Sequence, residues 1–181
     1  MPEWMKSKKG ASKNMDRLEL VKLSEEHFEK AAEIYNYYVE NSTATYATET
    51  VSVDEFVKYY KIENELTYSY GMLLDGKLVG FCLLKPWNIA KKAYKYTYEA
   101  TMYIEKEYCN RHLGSEAMTY LEEVAKKNNV LIIMGGVCSE NTASCKLCEK
   151  LGYEKVGHLK GVGYKFDRFM DIIYYEKSFM H

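Results

Sequence analysis

The fold is decided by one stretch, Tyr98-Glu99-Ala100-Thr101-Met102-Tyr103-Ile104, which continues as Glu105-Lys106-Glu107-Tyr108-Cys109-Asn110-Arg111-His112-Leu113-Gly114-Ser115. The first seven residues are rich in β-branched and aromatic side chains and read as a strand. A short polar loop follows and runs directly into the helical spacing Leu113, Ala117, Leu121, Ala125. A strand, a tight loop with a glycine and a helix N-terminus together make an anion site. Free backbone N–H groups and the positive end of the helix dipole face whatever sits in the loop. Arg111 adds a full charge, and the carboxylate of Glu99 stands just upstream on the strand. The combination predicts a phosphate-bearing cofactor held next to a candidate base.

These residues resemble motif A of the GCN5-related N-acetyltransferases (GNAT), where a loop of pattern Arg/Gln-x-x-Gly-x-Gly/Ala grips coenzyme A by its pyrophosphate. The strand and loop together are similar to the phosphinothricin and methionine sulfoximine acetyltransferases of that superfamily. Three further segments carry the resemblance in the same order. Ala93-Tyr94-Lys95-Tyr96-Thr97-Tyr98-Glu99 matches Ala-Tyr-x-x-Thr-x-Glu, and the run from Asn141 through Ser144, Leu147 and Leu151 to Gly152-Tyr153 matches Asn-x-x-Ser-x-x-Leu-x-x-x-Leu-Gly-Phe/Tyr. Gly163-Tyr164-Lys165-Phe166-Asp167-Arg168-Phe169-Met170-Asp171 resembles a Gly-Phe/Tyr-Lys-x-Gly-Arg-Trp/Phe-x-Asp ending. The loop departs from the pattern at Cys109, in place of the first basic residue, and at His112, in place of the middle glycine. Backbone amides are expected to do most of the gripping. His112 must then adopt the turn geometry that glycine gives freely.

Composition sets the outer bounds. The chain has 181 residues, 47% of them apolar and 28% charged, which fits one soluble domain with a substantial core. A net charge of −1 gives no long-range attraction to nucleic acid or an anionic membrane, and no apolar run is long enough to span a bilayer. Residues 1–16 are basic and polar, lack the apolar centre of a signal peptide and read as a disordered leader. Residues 17–181 are expected to form a single domain, in a chain that reads as cytoplasmic. Five cysteines include Cys145-Lys146-Leu147-Cys148, a C-x-x-C with no second pair or histidine cluster, so two thiols on one helix turn are preferred over a metal or redox site. No metal is expected.

Along the chain, residues 18–23 alternate as a first strand, and Ser24 can cap a helix over about 25–39. Ser52-Val53-Asp54-Glu55 is a capping box for a second helix. Asp75-Gly76 joins a hairpin of residues 70–74 and 77–84. The central strand should begin near Ala93. Residues 130–137 are nearly continuously apolar and read as a strand buried on both faces. A helix closes at Gly152, and residues 153–159 and 168–175 supply the last strands. The fold class is α/β (α+β), a mixed central sheet of about six to seven strands with flanking helices, in the GNAT order β-α-α-β-β-β-α-β-α-β-β.

The resemblance implies acetyl transfer from acetyl-CoA to the primary amine of a small, amino-acid-like substrate of the phosphinothricin or methionine sulfoximine type. It assigns Glu99 as the base, through a water, against the plainer reading of a strand-edge glutamate in a salt bridge. The pantetheine arm would lie where the strands of Glu99 and Val130 splay, bonding to the backbone of Met102 and Ile104 like an added strand, with Tyr103 between them also counted among the cofactor-binding residues. Asn110, Arg111, His112, Leu113, Gly114 and Ser115 would hold the pyrophosphate. Asn141 would bond the pantetheine or cap its own helix. Cys148, where relatives place tyrosine or histidine, is a candidate general acid or a packing residue. Lys91, Lys92 and Tyr94 would meet the acceptor or belong to a solvated loop, and Ala47 replaces an arginine common in close relatives. A homodimer is also implied. Two other classes remain open: a protein or peptide amino-group acetyltransferase, which would favour an open acidic groove, and a non-catalytic acyl-CoA-binding regulatory module.

Overall fold

The computed structural model describes residues 17–180; the leader expected at 1–16 lies outside them. Strand β1 (Glu19–Lys22) leads to helices α1 (Glu25–Asn41) and α2 (Val53–Tyr60), then to strands β2 (Tyr68–Leu74), β3 (Lys77–Pro86) and β4 (Thr97–Ile104). Helix α3 (Leu113–Lys127), strand β5 (Ile132–Cys138), helix α4 (Thr142–Lys150) and strands β6 (Glu154–Lys165) and β7 (Arg168–Ser178) complete the chain. The seven strands form one sheet in the order β1-β2-β3-β4-β5-β7-β6. Local chemistry explains the breaks. Ser52 and Glu55 cap α2 reciprocally, at 3.3 Å and 2.8 Å. Asp75 and Gly76 both take positive φ, 49° and 78°, as a two-residue hairpin needs.

Successive strand residues face opposite sides of the sheet, and the core divides accordingly. Phe81, Leu83 and Tyr103 pack with Tyr35, Phe56 and Tyr60 of α1 and α2. Cys82, Leu84, Tyr98 and Met102 pack with Ala117, Leu121 and Ala125 of α3 and Leu147 of α4. The two helical layers are therefore separated by the sheet, and a site that uses both needs an opening in it.

Three expectations are corrected. β4 begins at Thr97, not near Ala93; residues Lys92–Tyr94 form a single 3-10 turn. The ladder with β3 ends at Pro86 opposite Tyr98, so residues before Thr97 alternate like a strand but lie beyond the end of that ladder. β5 is not buried on both faces, because Gly135 is half-buried and Gly136 exposed where β4 leaves it. The last hairpin is longer than expected: β6 shifts register between Leu159 and Gly163 and continues to Lys165. Its turn places Phe166 and Asp167 at φ 52° and 57°, without a glycine.

Candidate active site

The opening in the sheet is built by β4 and β5. They pair in parallel only at Thr97↔Ile132, Tyr98↔Ile133 and Glu99↔Met134, and then separate. Beyond Glu99, β4 keeps β3 on one side and loses its partner on the other. Backbone groups aimed into that gap need an acceptor or donor from elsewhere. A cleft of about 1290 Å³ runs through the gap and is lined from both faces of the sheet.

On the α3 side the cleft is lined by the turn before α3, the start of α3 and helix α4, and its donors at the helix start are backbone groups. The first N–H groups of a helix have no partner within it. His112, at the N-cap of α3, makes no side-chain cap, and the Ser115 N–H turns back to the His112 carbonyl at 3.0 Å, so the donors left for a ligand are those of Leu113 and Gly114. His112 takes φ 65° and ψ 0°, and Asn110 takes φ 62°. The turn is thus the glycine-like one, carried by non-glycine residues. Gly114 is needed for closeness: a Cβ there would lie 3.1 Å from Met102 Cε and 3.2 Å from Leu147 Cδ2. Cys109, where a basic residue was expected, is half-buried with Sγ 3.5 Å from the Tyr38 hydroxyl, which itself donates to the Ile104 carbonyl. At that position the side chain ties the loop to α1.

Facing α3, Asn141 caps α4, accepting from the Ser144 N–H at 3.2 Å, and still lines the cleft. The side-chain amide N–H₂ of Asn141 is a separate donor from the oxygen that caps. Arg168 holds the adjacent Glu140. Cys148 also lines the cleft, and burial, with Cys145 and Glu149 nearby, pushes its thiol up to about 11.

On the α1/α2 face the cleft is made of side chains. Glu99 stands at the closed end of the fork, and Lys85 lies directly across β3 from it. Lys85 Nζ is 3.1 Å from Glu99 Oε2, with the two side chains 20% and 32% exposed. The same ammonium lies 5.6 Å and 5.8 Å from the ring centroids of Tyr59 and Tyr60. Burial first, and then the Glu99 charge, raises the Tyr59 phenol pKa. Residues 42–47 close this side, held by Lys165, which is only 4% exposed and donates to the carbonyls of Ser42 at 2.8 Å and Thr45 at 3.0 Å. Burial lowers its pKa.

The structure thus brings Glu99, Met102, Tyr103, Ile104, Asn110, His112, Gly114, Ser115, Asn141 and Cys148 to one cleft. It does not bring Lys91, Lys92 or Tyr94 there; all three are exposed on or next to the 3-10 turn. Arg111 lies over the Tyr108 ring at 5.0 Å rather than in the cleft lining, and Leu113 is buried in the core. Sequence reasoning missed Lys85 and the pair Gly135-Gly136. A lone lysine ending an apolar strand, and two glycines inside another, were the available signals.

The acetyltransferase (GNAT) domain family matches residues 20–174. The chain belongs to the GNAT acetyltransferases. This acetyltransferase is 28% identical over 150 residues to phosphinothricin N-acetyltransferase of Streptomyces viridochromogenes, covering 81% of this chain and 80% of that one. It is 26% identical over 143 residues to an L-methionine sulfoximine/L-methionine sulfone acetyltransferase of Salmonella typhimurium, covering 78% and 83%. Its fold superposes with a TM-score of 0.84 on a GNAT phosphinothricin acetyltransferase of Sinorhizobium meliloti solved with acetyl-CoA, at 20% identity and 89% and 88% coverage.

The protein is accordingly an acyl-CoA N-acyltransferase that uses acetyl-CoA as cosubstrate. The cleft fits such a molecule: uncapped helix N–H groups for phosphate, an unpaired strand edge for an amide-bearing arm, and a glycine wall at Gly135 where a Cβ would meet nothing within 4 Å. Among the described residues no group of three or more His, Cys, Asp or Glu could hold a metal ion. No helix among them is long and apolar enough to cross a membrane.

Proposed function

We propose that this acetyltransferase acetylates the primary amine of a small amino-acid-like acceptor by direct transfer, with Glu99 as the base. The observation that carries the reading is the position of Glu99. It sits where β4 and β5 part, on the face opposite α3, so an amine arriving from the α1/α2 side meets it at the opening. Bound acetyl-CoA supplies the acetyl group as a thioester, whose C–S bond breaks as the acceptor's C–N bond forms. Glu99 takes the proton that the ammonium must lose, directly or through one water. Backbone N–H groups of Met102 and Ile104, the alternate residues of β4 turned away from β3, hold the pantetheine arm and polarise the carbonyl, and Asn141 donates its side-chain amide to the same arm. The turn from Asn110 to Ser115 holds the pyrophosphate through its backbone, and Arg111, over the Tyr108 ring outside the cleft lining, makes no direct contact with it in this reading.

Cys148 is a thiol throughout the physiological range, so it has a proton to offer the departing sulfur. With its pKa near 11 it is a weaker acid than an ordinary thiol, for which about 8.5 is usual. Full transfer would be uphill, and its contribution is a hydrogen bond. Lys91, Lys92 and Tyr94 stand outside the cleft and take no part in this reading. The names of the relatives support the acceptor class, and so do the rings and the lysine facing Glu99, which are unlike an open acidic groove for protein substrates.

The test is release of free coenzyme A from acetyl-CoA against methionine sulfoximine, methionine sulfone, phosphinothricin, polyamines and a lysine peptide. Turnover on the amino-acid group, lost in Glu99→Gln, is the expected result. Turnover confined to the peptide or the polyamines would overturn the acceptor class.

The reading extends to a homodimer in the cytoplasm. Five free cysteines suit a reducing compartment. The hairpin β6–β7 exposes Val156, Leu159, Val162, Tyr164 and Phe169, the last at 72%, which suits self-association. Light scattering behind a sizing column should give twice the chain mass; a monomer mass would end the dimer proposal.

A further inference from the structure

The residue facing the candidate base has a use of its own. Lys85 and Glu99 are cross-strand neighbours, 3.1 Å apart, at the closed end of the fork. Both remain partly open to the cleft. A pair of opposite charges presented side by side to an entering ligand is complementary to a ligand with the same two charges in reverse. A free α-amino acid is such a ligand, because its ammonium and carboxylate sit on neighbouring groups of one carbon. An alkylamine, a lysine side chain or a peptide N-terminus has the ammonium without the adjacent carboxylate.

The surroundings add to this. Of the other charged side chains lining the cleft, Glu140 is engaged by Arg168, and Lys146 and Lys150 belong to α4. Lys165, the buried cation next to residues 42–45, is committed to two carbonyls. Lys85 is therefore the ammonium placed against the base. The rings of Tyr59 and Tyr60 beside it fix its position without using its hydrogen-bond donors.

We infer that Lys85 is the carboxylate anchor that restricts this enzyme to free α-amino acids. On entry the acceptor carboxylate takes Lys85 Nζ, and the acceptor ammonium takes the Glu99 oxygen that Lys85 gives up. One exchange thus orients the amine and delivers it to the base. No bond is made or broken in this step. The inference rests on the proposed acceptor class and on Glu99 as the base, and it adds the residue that makes the choice.

The experiment compares an amino acid with its own amide. For wild type, Lys85→Met and Lys85→Arg, kcat and KM are measured with methionine sulfone and with methionine sulfone amide, which keeps the amine and lacks the carboxylate. The free acid should be the better substrate of wild type. In Lys85→Met the ratio of kcat/KM, acid over amide, should fall at least about tenfold, which is about 1.4 kcal/mol, mainly through KM for the acid. Lys85→Arg, which keeps the charge, should restore most of that ratio. A parallel fall for acid and amide would overturn the inference, because Lys85 would then serve Glu99 alone. An unchanged ratio would overturn it as well. If wild type acetylates a polyamine or a lysine peptide and neither methionine compound, the proposed acceptor class fails and this inference fails with it. A coenzyme A-dependent rise in melting temperature in each variant shows that the variant is folded and loaded.

Discussion

The two sides of the cleft are made of different material. Toward α3 the polar groups the site offers are largely backbone: a turn, the N–H groups at the start of a helix, a strand edge without a neighbour and the open backbone at Gly135. Toward α1 and α2 it is side chain: Glu99 from β4, Lys85 from β3, Tyr59 and Tyr60 from α2, and a loop pinned by Lys165. Backbone donors survive substitution as long as the chain path is kept. Holding a histidine in the left-handed region costs on the order of 1–2 kcal/mol, which the packed surroundings of α3 offset. A side-chain site has no such tolerance, since each group is its own chemistry. On the proposed reading, the side that holds the cofactor can therefore drift from the family pattern at Cys109 and His112 while the side that takes the acceptor sets what the enzyme does.

The strongest way to break this contrast is Glu99→Gln. Removal of a general base is expected to lower kcat by about 10² to 10⁴. Affinity for coenzyme A, measured by calorimetry, should stay within about threefold, because the proposed cofactor contacts are on the other face of the sheet. A variant that loses cofactor affinity along with turnover would show that the two sides are not separable.

A paired substitution sharpens the backbone side. Gly114→Val puts a branched side chain where a Cβ alone already meets Met102 and Leu147 at 3.1 Å and 3.2 Å. Overpacking of this kind should destabilise the fold by about 1–3 kcal/mol. It should also raise KM for acetyl-CoA and leave the ranking of acceptors as it was. His112→Gly, a far larger chemical change at the next-but-one position, should do less. It relieves the left-handed conformation and loosens the unfolded chain, two effects of about 1 kcal/mol that oppose each other. Thermal unfolding and KM for acetyl-CoA should stay close to wild type. A large loss on His112→Gly would mean that the imidazole grips the cofactor after all.

The same division decided what could be read from the sequence. Strand, turn and helix around residues 98–115 are set by local spacing and by one glycine, so the order of elements and the place of the turn before α3 were legible. Lys85 was not, because its meaning depends on register across β3 and β4, which no local pattern fixes. Lys91, Lys92 and Tyr94 looked suitable by type and segment, yet the short 3-10 turn leaves them in solvent. Gly135 and Gly136 sat inside an apolar run that looked doubly buried. Only the separation of β4 from β5 shows that the run faces a gap.

Cys148 gives the smallest expected effect and the finest test, because it is a side chain on the backbone side. Burial comes first among the causes that raise its pKa, followed by Cys145 and Glu149, taking the thiol from 9.0 to about 11. The neutral thiol is thus favoured by folding. Its contribution to stability is fully present below about pH 9 and is lost as pH rises through about 11. Cys82, fully buried and raised to about 12, acts in the same direction over a higher range. Between pH 7 and 9, then, Cys148 should resist alkylation, and no limb of the kcat profile should belong to it. Cys148→Ala should lower kcat by less than about tenfold, the value of one hydrogen bond of about 1 kcal/mol. If wild-type kcat falls between pH 9 and 11 and the variant lacks that fall, the thiol donates to the leaving sulfur. If rate and profile are both unchanged, Cys148 is a wall of the cleft and solvent supplies the proton. A loss beyond a hundredfold would place essential side-chain chemistry on the cofactor side and undo the contrast from which the other predictions were drawn.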